Sequence, residues 1–449
     1  MSVAQVKAGK VLQSSCPTLH DWQEDHVDAL THAMRTYGHA LDGSDTGTGK
    51  TIMALEVCRR LGRIPFVVCP KAVIPSWTDW MKAFRPNDPT HFAYTYDKLR
   101  GGNTAFLHKK GKKIRWNLDK NTVVLIFDEV HRCKGDKTVN SKMLATAKAE
   151  GIPTMMLSAT VCSNPVEMKS IGYLLGLHDY RGWWNWCLRT GCKRGVFGGL
   201  VFNNSAKVLS ALHNHIYPSR GSRIRISELP EGAFPDTLVV ADGYRIDESE
   251  DIDDIYAVMS NELAQLAVTM GDDEESPLTI QLRARQETEL LKVPVFVELA
   301  RDAVNDGNSV ALFVNFRATL DAVIGRLTLD IPIATVHGDQ TGSERQENVE
   351  SFQSNHARVI VCMIQAGGVG LNLHDEHGGH PRVSLISPSF SAVELRQTLG
   401  RVHRAGGETA SVQKIVFAAD TVEMGVCRAV RRKLTNLDRI NDDELNPVL

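Results

Sequence analysis

The run Ser44-Asp45-Thr46-Gly47-Thr48-Gly49-Lys50-Thr51 (SDTGTGKT) decides the fold of this 449-residue chain. Glycines at 47 and 49 let backbone N–H groups crowd around phosphate oxygens. Lys50 adds a cation, and the Thr51 hydroxyl is placed to ligate Mg²⁺ as a helix begins. Ser44 stands where the general phosphate-loop pattern has its first glycine. Such a loop joins a buried strand to a helix, so the run predicts a parallel α/β sheet that binds a nucleoside triphosphate. Its counterpart is Asp128-Glu129-Val130-His131, directly after the apolar run that ends at Phe127. Carboxylates at the carboxyl end of a buried strand occupy the place where open α/β sheets bind ligands. In that geometry Asp128 holds Mg²⁺, and Glu129 polarises the water that attacks the γ-phosphate of ATP. With QTLGRVHR (Gln397–Arg404) near the far end, the set describes a nucleotide-driven machine of two lobes.

A chain of this length exceeds what one hydrophobic core usually holds, so two domains are expected, 1–230 and 231–449. Nearly continuous apolar runs predict parallel strands covered on both faces. They lie at Phe66–Cys69, Thr122–Phe127 and Thr154–Leu157, then at Val310–Val314, Val359–Met363, Val383–Ile386 and Gln413–Phe417. Residues 166–220, with Trp183, Trp184 and Trp186, are expected to form a helical insertion. The net charge of −2 gives no global attraction to nucleic acid, so such a partner needs a local basic groove. Two basic runs are candidates: His108-Lys109-Lys110-Gly111-Lys112-Lys113 with Ile114-Arg115-Trp116, and Arg428, Arg431, Arg432 and Lys433. A charge cluster of this sort is more often a solvated loop or helix face. The acidic segments Asp247–Asp254 and Gly271–Pro277 read as solvated loops. Nine scattered cysteines read as reduced thiols, and no apolar stretch reaches the length of a signal peptide or membrane span. A cytoplasmic monomer is expected, or a nuclear or viral-factory protein in a eukaryotic setting. Cys187, Cys192, His213 and His215 offer a zinc set, and His213-Asn214-His215 a nuclease-like triplet; the alternative is helical packing.

The motif order resembles the superfamily 2 helicases and translocases, and most of all the Swi/Snf-type DNA-dependent ATPases. LHDWQEDHV (Leu19–Val27), SDTGTGKT, VVCPKAVIPSW (Val67–Trp77), YTYDKL (Tyr94–Leu99), DEVHRCKG (Asp128–Gly135) and LSATVCSNP (Leu157–Pro165) carry it in the first half. VALFVNFR (Val310–Arg317), HGDQTGSERQENVESF (His337–Phe352), IQAGGVGLNL (Ile364–Leu373) and QTLGRVHRAG carry it in the second. The resemblance implies two RecA-like lobes with an ATP cleft between them and ATP with Mg²⁺ as cofactors. It implies that Gln23 reads the adenine and that Gly370 joins Asp45–Thr51 around the nucleotide. Pro70, Lys71, Trp77, Ser158, Thr160, Asn315, Gly367 and Gly368 would lie along nucleic acid, the last two in a glycine turn ahead of a helix. Gln397, Arg401 and Arg404 would complete the catalytic set, with the two arginines on one helical face as fingers toward the γ-phosphate. The partner so implied is duplex or branched DNA, and the activity ATP-dependent translocation on it. A strand-separating DNA or RNA helicase is the alternative, because a separation pin is a local structural feature. The chain departs from the family at Gly407, which replaces a usual Gln, and in ISPSFSAVELRQ (Ile386–Gln397), which lacks the usual acidic residue and Trp. Its short insertions point to a compact motor rather than a chromatin remodeller.

Overall fold

A computed structural model describes residues 18–428 except 89–90, 103, 112, 136, 196–197, 231, 247–248, 267–276, 329, 368–370, 389–390, 422 and 424–426. Gly368, Gly370, the acidic run 271–276 and the basic residues Arg431, Arg432 and Lys433 lie outside the described residues. The chain divides at Pro230 into two compact units. Among the described residues no helix is long and apolar enough to cross a membrane.

In the first unit the strands are β1 (His39–Asp42), β2 (Ile64–Cys69), β3 (Phe92–Thr95), β4 (Leu107–Lys110), β5 (Lys113–Trp116), β6 (Val123–Asp128), β7 (Thr154–Leu157), β8 (Cys192–Arg194), β9 (Leu200–Phe202) and β10 (Gly221–Ser222). Six of them form one parallel sheet in the order β10-β1-β7-β6-β2-β3. The apolar runs are continuous because both faces are covered. Side chains alternate between two cores. Phe66, Val68, Val123, Leu125, Phe127 and Met156 enter one. Val67, Cys69, Val124, Ile126, Met155 and Leu157 enter the other. Asp42 and Asp128 therefore end the two buried runs that flank β7, at the same end of the sheet, each opposite Leu157.

The expected insertion is helical only in part. Helices Lys169–Leu174, Trp183–Arg189 and Ala206–Ile216 frame the antiparallel hairpin β8–β9, in which Gly195 and Gly199 close the turn. Trp183 and Trp186 are buried in the unit's core, so the tryptophan cluster is packing. The chain then returns to the sheet as β10, in register with Leu41 and Asp42.

The second unit holds β11 (Thr237–Tyr244), β12 (Ser309–Val314), β13 (Ile333–Val336), β14 (Val359–Met363), β15 (Arg382–Ile386) and β16 (Ser411–Ala418). They form another parallel sheet, ordered β11-β16-β15-β12-β14-β13. Val310, Leu312, Val314, Val359, Val361 and Leu385 pack against the helix Val293–Asn305 on one face. Both units are thus RecA-like parallel sheets between helical layers.

Candidate nucleotide site

β1 ends at Asp42, and the chain turns through 43–49 into the helix Lys50–Arg60. The turn is left-handed at Gly47 (φ 87°) and Gly49 (φ 88°), a region only glycine enters freely. A Cβ at Gly49 would stand 2.6 Å from Gln23 Nε2, so the end of that side chain would have to move. The Lys50 ammonium lies in the loop's mouth and donates to the carbonyl oxygens of Ser44 (2.9 Å) and Asp45 (2.8 Å). Thr48 Oγ1 donates to Asp45 O, which tightens the turn. Thr46 and Thr51 are half-buried.

Residues far away in sequence brace this loop. Arg223, with a side chain only 6% exposed, pairs with Asp45 Oδ1 at 2.9 Å and donates to Gly43 O. Ile226 N donates to Asp45 Oδ2, and Ile224 N to Ser44 Oγ. His26 Nε2 lies 3.2 Å from Asp42 Oδ1, and Ser44 N donates to the same oxygen. Burial works to raise the Asp42 pKa, but His26 and Lys50 outweigh it, so this carboxyl is held below its ordinary value. Gln23 is 3% exposed; its Oε1 accepts from His20 N and its Nε2 donates to Thr48 O at 2.9 Å. The adenine-reading candidate therefore touches the loop, with both ends of its amide engaged.

The acid pair lies close enough to act on the same lysine. Burial lowers the Lys50 pKa, while Asp42, Glu129, Asp128 and Asp45 act to raise it. Burial and the neighbouring Glu129 push the Asp128 carboxyl well above the usual carboxylate range, against Trp77 and Lys50. Two carboxylates this close resist ionising together. Asp128 is fixed on three sides: Trp77 Nε1 donates to Oδ2 at 2.8 Å, Glu129 N to Oδ1, and Tyr96 Oη to its carbonyl. Glu129 sits at φ 53°, ψ 53°, a left-handed conformation that costs a non-glycine residue about 1–3 kcal/mol and clusters at functional sites. His131 Nδ1 bridges Glu129 Oε2 (3.2 Å) and Ser158 Oγ (3.3 Å).

Several expected nucleic-acid contacts are placed elsewhere. Trp77 is 1% exposed and braces Asp128, because its indole N–H needs a partner once the ring is buried. Ser158 and Thr160 are 0% exposed; Ser158 Oγ accepts from Thr160 N and faces His131. Pro70 is buried, whereas Lys71 is exposed. Asn315 spends its amide inside the second unit, donating to Glu289 Oε2 (2.6 Å), Ser387 Oγ and Pro388 O. The zinc reading fails on geometry: no group of three metal-capable side chains occurs among the described residues. Cys187 donates toward Pro165 O, His215 meets Leu175 O, and His213 lies against the Tyr217 ring. The packing alternative is what the chain adopts.

In the second unit, Gln397 lies on the helix Ala392–Leu399 and is 4% exposed. Arg401 and Arg404 are not on a helical face, because the helix stops at Leu399 and Gly400 caps it. They lie in the turn and irregular chain beyond it, and both guanidinium groups meet the Leu371 carbonyl, Arg401 at 3.4 Å and Arg404 at 3.1 Å. Gly367 closes the short helix Ile364–Gly367, and the chain from Leu371 to His374 is irregular. The helix expected after the glycine turn does not form there. Sequence reasoning missed Arg223, His26, Tyr96 and His131; of these only His131, beside the acid pair, carried a local signal.

Residues 17–161 match the family described as type III restriction enzyme, res subunit, and residues 291–406 match the helicase conserved C-terminal domain. A protein named putative ATP-dependent RNA helicase L364, from Acanthamoeba polyphaga mimivirus, is 34% identical over 95% of this chain and 84% of its own length. Chromodomain-helicase-DNA-binding protein 1-like of Mus musculus is 23% identical over 93% of this chain, which spans only 50% of that protein. The solved structure of S. cerevisiae Dbp5 bound to RNA and ADP BeF3 shares the fold, with a TM-score of 0.50 and 12% identity over 93% of this chain and 88% of that one. The chain belongs to the superfamily 2 helicase-like ATPases, and it is an ATP-hydrolysing enzyme.

Proposed function

We propose that this ATPase is a DNA-stimulated translocase on double-stranded DNA that remodels branched DNA or protein–DNA complexes. The observation that carries the catalytic part is the charge cluster of Lys50, Asp42, Asp128 and Glu129 at the carboxyl ends of parallel strands. In this reading 1–230 binds the nucleotide and 231–449 supplies the completing cations. Asp45–Thr51 cradle the phosphates, and Gln23 exchanges its bond to Thr48 O for the adenine edge. Thr51 and Asp128 are hard oxygen donors of the type Mg²⁺ takes, and a carboxyl that burial keeps from ionising alone is suited to a divalent cation. When bound, Mg²⁺ would neutralise phosphate charge. Glu129 takes the proton of the attacking water, held in place by its strained backbone and by His131. Arg401 and Arg404 stabilise the charge that spreads over the transferred phosphoryl oxygens.

The duplex-DNA reading is supported by relatives named for DNA binding and DNA repair, the latter including DNA repair protein rad5 of Neurospora crassa at 29% identity over 30% of this chain. Strand separation on RNA is the second reading, favoured by the printed name of the viral relative. ATP hydrolysis measured with duplex DNA, single-stranded DNA and RNA, beside a strand-displacement assay, separates them. Duplex DNA is expected to stimulate most, without displacement. Stronger stimulation by single-stranded RNA, with displacement, would overturn the translocase in favour of the helicase.

A further inference from the structure

We infer that one face of the β4–β5 ribbon in the first unit is a binding surface for the phosphodiester backbone of nucleic acid; this rests on the reading above. The ribbon pairs Lys110 with Lys113 and His108 with Arg115, while Lys109 faces Ile114 and Leu107 faces Trp116. Side chains alternate across a strand, so His108, Lys110, Lys113 and Arg115 share one face. All four are exposed. Like charges directly opposite each other destabilise an antiparallel pair. Here Lys110 stands directly opposite Lys113, with Arg115 on the same face, and no carboxylate among the described residues is paired with any of the four. An arrangement that opposes folding and has no internal counter-charge is relieved by an external polyanion. With a net charge of −2 over the whole chain, this concentration is local.

The opposite face explains why the cations stay in place. Leu107 and Trp116 are 0% and 4% exposed and belong to the core of the unit. Trp116 packs edge-on against Phe66 and Phe127, its Nε1 donates to Met143 O at 3.0 Å, and its backbone N donates to Glu150 Oε2 at 2.9 Å. Gly111, at φ 61°, begins the turn in the left-handed region that tight hairpins use. Three cations, with His108 beside them, thus stand on a ribbon whose root is fixed, and a charged ligand meets them with little ordering left to do.

The test uses the full chain carrying Lys110→Gln, Lys113→Gln and Arg115→Gln together, with Lys109→Gln as the control from the other face. Affinity for a labelled DNA duplex, and for its separated strand, is followed as salt rises. Each lost phosphate contact should flatten the log–log salt slope by about 0.9 on duplex and about 0.7 on single strands. The triple variant should lose up to three such increments and its affinity should fall. Its ATPase without nucleic acid should be unchanged, and its Tm unchanged or raised, because cross-strand repulsion is gone. A parental salt slope in a variant whose ATPase still responds to DNA would overturn the ribbon but leave the motor reading standing. An equal loss per charge in Lys109→Gln would overturn the assignment to one face. No binding of either nucleic acid by the parent chain would overturn both inferences.

Discussion

The first unit gathers Asp42, Asp128 and Glu129 around a single lysine, whereas the second aims two guanidinium groups at the carbonyl of Leu371. Both are built on six parallel strands, so the sheet does not set this difference. The strand ends and the segments after them do. β1 and β6 run straight into Asp42 and Asp128 while still buried, and desolvation then makes every protonation state depend on its neighbours. In the second unit the arginines come after a capped helix, in a turn and the irregular chain beyond it, and a guanidinium stays charged wherever it is placed. In the proposed reading one unit handles the proton and the other supplies fixed charge.

Arg404→Ala tests that division most severely. Nucleotide binding should persist while hydrolysis falls by about 10³-fold or more, the effect expected of a cation on the transferred phosphate; single-turnover assays on pre-bound ATP measure it. Hydrolysis within a few-fold of the parent would mean that the second unit is dispensable to chemistry. Glu129→Gln comes next, with binding kept and turnover down about 10²–10⁴-fold, as for loss of a general base. If that variant turned over ATP at the parental rate, the water-activating group would lie elsewhere. Trp77→Phe sharpens the picture within the first unit, since the ring still fills its site but the donor to Asp128 is gone. A hydrogen bond to a charged group is worth about 1.5–3 kcal/mol, so kcat/KM should drop about 10- to 100-fold. Trp77→His, which keeps a ring N–H, should recover part of that loss; recovery by neither measure would make Trp77 merely a packing residue.

The smallest expected effect is on stability against pH, where the two units should behave alike. Burial, then Lys148 and Arg220, lower the His39 pKa in the first unit from 6.5 to about 4. Burial, then Arg404 and Arg382, lower that of His374 in the second, again from 6.5 to about 4. Both folded values lie below the unfolded one, so the unfolded chain takes up protons first. Their contribution is complete above about pH 6.5 and is lost as pH falls toward about 4. Melting curves across that window should show a falling Tm in the parent and a flatter profile in His39→Asn and His374→Asn. A parental profile in His374→Asn would remove that histidine from the account.

Much of the nucleotide site was legible in the chain itself. SDTGTGKT names a left-handed turn and a lysine because only glycine enters those backbone angles cheaply. DEVH after an apolar run places carboxylates at a strand end because side chains alternate between two buried faces until the strand stops. These signals are local, carried by consecutive residues whose own conformational preferences state the outcome. Trp77 and Ser158 lay in the same matched motifs, yet their burial could not be read there, because exposure depends on what packs over a residue. Arg223 gave no sign at all: it reaches Asp45 only because β10 returns to lie beside β1. The end of a helix at Leu399 likewise moved Arg401 and Arg404 off a helical face. Amino-acid order determined which charged groups stand on which strand ends. Packing between distant segments decided which are held, which are hidden and how strongly each keeps its proton, since desolvation and long-range hydrogen bonds exist only once the chain has closed on itself.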